Sequence, residues 1–358
     1  MSKSIAKTLM VMAGGTGGHV YPAMAVADHL KANGWNIVWL CTAGGMENTL
    51  IEGKGYSKAM IQMQGVRGKG LLGWVLLPVK LIKAFSQSMR AIKQYQPDVV
   101  LGMGGFAAFP GGFMAKLLGK PLVIHEQNSV AGLTNKVLAK IADHVLAAFP
   151  AAFGNGAILV GNPVRADIAH VATPEARFAG RDGALRLLVV GGSLGAHALN
   201  EVIPQALAKL PLEQRPQVVH QSGMKHIDML KSNYEKAGVA VDARAFIDDM
   251  AAMYAWADFV ICRSGAATVA EVSAVGLGAL MVPFPFAVDD HQTTNAAYLA
   301  GAGAAILVQQ KELSVEKLVA ILSELSREQC LDMAKKARAL GKPEATANVA
   351  TICREVAL

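Results

Sequence analysis

MVMAGGTGGHVYPAMAVADHL, Met10–Leu30, runs from a short apolar segment through four glycines and one threonine into a helix-like pattern. RLLVVGGSLGAHALNEVIPQAL, Arg186–Leu207, repeats the plan. Apolar segments this short, closed by glycine, read as buried strands that hand the chain to a helix. Small residues in such a turn let backbone amides approach an anion, and the helix that follows adds its positive end. Thr16 and Ser193 supply hydroxyl donors within the two turns.

The same rhythm extends outward from both turns. NIVWLCTAG, DVVLGMGG, PLVIHEQN, HVLAAFP and AILVGNP follow the first; QVVHQSG, VDARAFID, ADFVICRSG and GALMVPFP follow the second. Strands alternating with helices predict parallel sheets covered on both faces. The expected fold is α/β: two Rossmann-like, doubly wound domains facing each other across a cleft. The join is placed in GNPVRADIAHVATPEARFAGRDG, which is rich in proline, glycine and charge. The expected domains are residues 1–163 and 164–340, with a final helix over 341–358 returning to the first domain. Ligands of open parallel sheets bind beyond the carboxyl ends of the strands, where all of these loops lie.

At 358 residues the chain is long for a single core, in keeping with two domains. Hydrophobic residues make up 53%, yet the best uncharged candidate for a membrane span, Val272–Val288, holds two glycines and two prolines. No stretch reads as a spanning helix or a signal peptide, so a cytosolic chain is expected. Cys41, Cys262, Cys330 and Cys353 are scattered, which suits reduced buried thiols rather than a disulfide framework or a zinc site. A net charge of +7 suggests an anionic partner without choosing among nucleic acid, anionic lipid and a phosphorylated metabolite.

The loops carry the chemistry. Counted from Gly15, the dinucleotide fingerprint G-x-G-x-x-G meets Val20 at its third glycine, and no P-loop is present. HEQN (His125–Asn128), CRSGAATVAE (Cys262–Glu271) and DDHQTTNA (Asp289–Ala296) place polar groups at strand ends. Gln292 and Asn295 share a helix face, as do Thr268 and Glu271. Amides suit sugar hydroxyls, and a carboxylate accepts from two vicinal hydroxyls of a ribose. No metal-ligand spacing is found; Asp248-Asp249 and Asp289-Asp290 read as helix N-caps, and helix ends with Arg165 or Arg263 would meet a diphosphate instead. Between Gly65 and Tyr95 a basic helical face with Lys80, Lys83 and Arg90 lies next to Trp74, Leu76, Leu77 and Phe85. Such a face suits an interface bearing anionic lipid, or equally an ordinary packed helix.

Taken in order, GGTGGHVYPAMA, GMGGFAAFPGG, HEQNSVAGLTN, GNPVR, GGSLGA, HQSG, FIDDM, CRSGAATVAE and DDHQTTNA resemble one bacterial family. It is the UDP-N-acetylglucosamine–N-acetylmuramyl-(pentapeptide) pyrophosphoryl-undecaprenol N-acetylglucosamine transferases. The resemblance implies a GT-B fold and an inverting, metal-independent reaction without a cofactor. N-acetylglucosamine would pass from UDP-N-acetylglucosamine to the muramyl 4-hydroxyl of lipid I, giving lipid II. It also implies a peripheral enzyme at the cytoplasmic face of the inner membrane. Its partners there would be an anionic membrane surface and other cell-wall assembly proteins, but no nucleic acid. The first domain would take the acceptor and the second the UDP-sugar. By position, Thr16, Gly17 and Gly18 would approach the diphosphate and sugar, and Asn128 the sugar. Arg165 and Ser193 would bind phosphate or nucleotide, and Ile247 would offer backbone to the uracil. Ala266, Ala267, Thr268, Val269 and Ala270 would cap the diphosphate, with Glu271 on the ribose. Gln292 and Asn295 would read the sugar. The family's usual glutamine is replaced here by Leu194.

His19 is the candidate general base, because it opens a helix whose positive end disfavours imidazolium. His125 and Glu126 are held in reserve. Two rivals stay open at this point: a UDP-N-acetylglucosamine 2-epimerase, which would act without acceptor, and a nucleotide-sugar-binding scaffold, which would release no UDP.

Overall fold

In the computed structural model, residues 6–63, 77–192 and 195–357 are described. The chain forms two units, one of residues 1–165 with 344–358 and one of residues 166–343.

The first unit is built on a seven-stranded sheet. Its strands are β1 (Thr8–Ala13), β2 (Asn36–Thr42), β3 (Ser57–Ile61), β4 (Val99–Gly104), β5 (Leu122–Glu126), β6 (His144–Ala147) and β7 (Ile158–Leu159). All pair in parallel, in the order β3-β2-β1-β4-β5-β6-β7. The strand alternation of β1 explains the layering. Leu9, Val11 and Ala13 face helix α1 (Gly17–Ala32) and the terminal helix Ala345–Val356, whose Val349, Ala350 and Cys353 join the same core. Met10 and Met12 face the opposite layer, with Ala91 and Ile92 of α2 (Leu77–Tyr95) and Ala108, Met114 and Ala115 of α3 (Ala108–Leu117). A short helix α4 (Leu133–Leu138) follows β5.

The second unit holds six strands: β8 (Arg186–Val190), β9 (Gln217–Gln221), β10 (Asp242–Arg244), β11 (Phe259–Cys262), β12 (Gly278–Met281) and β13 (Ala305–Leu307). They are again all parallel, in the order β10-β9-β8-β11-β12-β13. Leu187 and Val189 pack with Leu199, Ile203, Ala206 and Leu207 of α5 (His197–Lys209). The helices that bear on the site are α6 (Met250–Trp256), α7 (Ala266–Val275) and α8 (His291–Ala300).

In each sheet the chain first winds one way from a central strand and then the other. The reversals lie between β1 and β4 and between β8 and β11. Loops leaving neighbouring strands diverge at such a reversal and open a crevice at their carboxyl ends. Both glycine turns therefore leave the sheet where a ligand has room.

Candidate active site

In the first unit, Gly14–Thr16 carries the chain from β1 into α1. Thr16 stands at the N-cap in extended conformation, but its side chain makes no capping bond, and the first turn contains no acidic residue. The leading N–H groups of α1, at Gly17 and Gly18, are thus served by no cap, the arrangement that suits an anion. Thr16 is exposed, and Gly17, Gly18 and His19 are half-buried. The loop after β4 closes against this turn. Gly104 has φ +100, and a Cβ there would lie 2.9 Å from His19 Nδ1. Glycine at 104 is what leaves space for the imidazole.

His19 Nδ1 lies 2.7 Å from Gln127 Oε1. Gln127 Nε2 in turn donates to the His125 carbonyl at 2.9 Å and lies 3.1 Å from His125 Nδ1. His125 Nε2 is 2.8 Å from the Gly161 carbonyl. His125 is fully buried, which pushes its pKa down to about 4. It therefore stays neutral and shielded, and the geometry removes it from the list of bases. Glu126 is corrected in the same way. Its carboxylate, 1% exposed, accepts from Asn128 N and Nδ2 at one oxygen and from Gly132 N and Asn135 Nδ2 at the other. Four donors fill the four lone-pair positions of a carboxylate. Glu126 staples the loop between β5 and α4 and holds Asn128, which is half-buried. Arg165 is half-buried just beyond Val164, whose carbonyl accepts from Thr346 Oγ1 of the terminal helix at 2.7 Å.

In the second unit, the turn after β8 is tied down by Gln221 at the end of β9. Its Nε2 donates to the Gly192 carbonyl at 3.0 Å, and its Oε1 accepts from Ile247 N at 3.1 Å. Gly195, at φ +78, passes so close to β9 that a Cβ would lie 2.0 Å from the Ser222 carbonyl oxygen. Ile247 is buried with its N–H engaged, so its carbonyl is the backbone group it can offer a base. Ser193 and Leu194 lie outside the described residues.

Helix α7 starts at Ala266 behind Gly265, with no side-chain cap and no acidic residue in its first turn. Ala267, Thr268 and Ala270 are half-buried, while Ala266 and Val269 anchor the turn in the core. Glu271 accepts from Tyr254 Oη of α6 at 3.0 Å, which fixes its carboxylate. Arg263 does not meet the expectation of a phosphate ligand. Its guanidinium donates to the Val282 and Pro283 carbonyls and to Gln310 Oε1, at 3.0, 3.1 and 2.6 Å.

The pair on α8 is split by burial. Gln292 is half-buried, and its Oε1 accepts from Phe284 N at 2.9 Å. Asn295 is 0% exposed and donates to the Ser264 carbonyl at 3.2 Å, so it braces the loop before α7 rather than facing a sugar. Asp249 caps α6 through Ala252 N, as read from the sequence. Asp290 makes no such bond to its helix: Asp289 and Asp290 both adopt left-handed conformations, at φ 53 and 49.

On α2, Lys83 and Arg90 are exposed and Lys80 and Leu77 half-buried. Phe85 is not part of an exposed face; it packs against the rings of Phe109 and Phe113, at 5.7 and 5.5 Å. The exposed apolar residues of the helix are instead Val79 and Ile82, at 64% and 69%. Trp74 and Leu76 lie outside the described residues. Among the described residues no helix is long and apolar enough to cross a membrane, and no group of three or more His, Cys, Asp or Glu could hold a metal ion. The four cysteines are free and buried, and burial pushes each thiol up to about 12.

Sequence reasoning passed over Gln127 and Gln221, the two amides that tie the loops together. The signal for Gln127 was present: in a strand, residues two apart face the same side, so His125 and Gln127 belong together. Asn162 and Ser264, whose buried amide and hydroxyl find no partner among the described residues, carry no comparable signal.

Two family models match the chain: the glycosyltransferase family 28 N-terminal domain over residues 9–147 and the C-terminal domain over residues 186–349. A protein of Cupriavidus metallidurans is 60% identical over 98% of this chain and 99% of its own length. One of Burkholderia thailandensis is 58% identical over 99% and 97%. Both are named UDP-N-acetylglucosamine–N-acetylmuramyl-(pentapeptide) pyrophosphoryl-undecaprenol N-acetylglucosamine transferase. The crystal structure of Acinetobacter baumannii MurG superposes with a TM-score of 0.87 at 41% identity, covering 98% of this chain and 99% of that one.

Proposed function

The chain belongs to glycosyltransferase family 28, among its UDP-N-acetylglucosamine–N-acetylmuramyl-(pentapeptide) pyrophosphoryl-undecaprenol N-acetylglucosamine transferases, and on that premise we propose how its residues carry out the transfer. The enzyme moves N-acetylglucosamine from UDP-N-acetylglucosamine to the 4-hydroxyl of the muramyl unit of lipid I, giving lipid II and UDP. The observation that carries this reading is 60% identity over nearly the whole of both chains to a relative so named.

The acceptor oxygen forms a bond to the anomeric carbon from the face opposite the diphosphate, the bond to the UDP oxygen breaks, and the configuration inverts. Charge develops on the leaving diphosphate and on an oxocarbenium-like sugar. The uncapped N-terminus of α7 meets the diphosphate, with Ser193, and no cation is required. In the first unit, Thr16, Gly17 and Gly18 form the other uncapped helix start, which suits an anionic group. Glu271, oriented by Tyr254, accepts from the ribose hydroxyls, and the Ile247 carbonyl meets the uracil. Gln292 contacts the sugar. The second unit thereby holds the donor and the first the acceptor. His19 takes the proton of the 4-hydroxyl.

The enzyme works as a peripheral protein on the cytoplasmic face of the inner membrane. Exposed Val79, Ile82, Lys83 and Arg90 of α2 support a contact with anionic lipid there. Other proteins of cell-wall assembly would meet it at the same surface.

The test is transfer of labelled N-acetylglucosamine to a short-chain lipid I analogue, with and without EDTA. Label is expected in the lipid product under both conditions. Epimerised nucleotide sugar formed without acceptor, or loss of transfer with EDTA, would sink the reading. His19→Ala should lower kcat by roughly 10²- to 10⁴-fold while donor binding holds. Near-normal turnover would remove His19 as the base.

A further inference from the structure

We infer that Gln127 and His125 act as positioning residues that lock His19 in one tautomer, with its proton on Nδ1 and its lone pair on Nε2. The hydrogen-bond chain admits a single assignment. His125 Nε2 faces a carbonyl oxygen, that of Gly161, so this nitrogen carries a proton. A neutral ring then has its lone pair on Nδ1, and burial keeps the ring neutral. Gln127 faces that lone pair and the His125 carbonyl, two acceptors, so its NH2 group lies there. The flipped amide would set oxygen against both. Gln127 Oε1 therefore turns to His19, and at 2.7 Å it must accept a proton from Nδ1. Direction thus passes from the Gly161 backbone through two side chains to the imidazole. The relay joins the three segments GGTGGH, HEQN and GNPVR, and Gln127 is 0% exposed, so water does not compete for its amide.

The consequence is a lone pair at Nε2 before any substrate arrives. That this lone pair removes the acceptor's proton rests on the base assignment made above; the tautomer itself does not. The outer nitrogen of an imidazole is free to accept only while the inner one is held as a donor. An amide does this without the negative charge that a carboxylate would place beside a departing diphosphate.

The tautomer is read directly from long-range ¹H–¹⁵N spectra of the full-length, histidine-labelled protein above the imidazole titration, with His19→Gln used for assignment. His19 is expected to show a protonated Nδ1 and a lone-pair Nε2, and His125 the reverse. A wild-type His19 protonated at Nε2 overturns the proposal without any variant having to fold. Gln127→Met is expected to mix the His19 tautomers and lower kcat by roughly 10- to 1,000-fold, with KM for UDP-N-acetylglucosamine little changed. A folded Gln127→Met protein with an unmixed His19 signal would refute the relay. If His19→Ala stays active while the wild-type spectrum is as described, the base assignment falls and the relay stands.

Discussion

Gly104 shows how closely one residue can govern the site. Its left-handed backbone and the His19 ring leave no space for a methyl group. Gly104→Ala should cost about 1–3 kcal/mol in backbone strain. The larger effect is expected on turnover, because displacing a reacting group by an ångström can cost on the order of 10²-fold. Steady-state kinetics of the folded variant, compared with its UDP binding, checks this; unchanged kcat would mean that the ring is not held where the structure places it. At this scale the sequence was informative about where residues stand in the fold and less so about which way their side chains turn. His19, Thr16 and Glu271 stand where strand ends and helix starts imply. Glu126 and Asn295 look equally functional as letters, but their side chains turn inward to brace loops. Burial is a tertiary property that the spacing of a short polar cluster does not encode.

Among the elements, α2 has the least ordinary surface. Its inner face packs through Ala84, Ser88, Ala91 and Ile92, while Val79, Ile82, Lys83 and Arg90 point outward. Reversing Lys80, Lys83 and Arg90 to Glu should weaken flotation with anionic vesicles by more than about 100-fold, since each basic residue near such a surface contributes about 1 kcal/mol. Equal flotation of the variant would reduce α2 to a packing helix. Strands with continuous apolar runs were legible because burial on both faces demands them. β3 and β13 were missed for physical reasons. β3 is a sheet edge with Ser57, Lys58 and Met60 exposed, and β13 has only three residues, so neither shows the run of a central strand.

Across the whole molecule, each unit carries one buried imidazole held neutral, and this sets its response to acid. Burial lowers His125 to about 4 and His220 to about 3, from an ordinary value of 6.5. His220 is enclosed by Tyr234 Oη at 3.0 Å and Asn200 Oδ1 at 3.1 Å. The unfolded chain binds a proton at these sites below about pH 6.5, whereas the folded units do not until much lower pH. Stability should therefore fall with pH from about 6.5 toward 4, by about 1.4 kcal/mol per pH unit for each histidine. Calorimetry across that range should show both units melting earlier. His220→Gln should flatten the slope for the second unit alone; an unaltered slope there would rule out this source. The repeated architecture itself was readable from the two matching glycine turns, because a doubly wound sheet requires its strand, turn and helix in that order.

The terminal helix completes the core of the first unit, although some 180 residues of the second separate it from the rest of that unit. On a ribosome, then, the half of the molecule that is begun first is finished last. Until Val349, Ala350 and Cys353 emerge, the apolar stripe of α1 that they cover has no lid, and the second unit has everything it needs to fold ahead of the first. A fragment cut after Arg165 would inherit that bare stripe, whereas one spanning 166–343 would not.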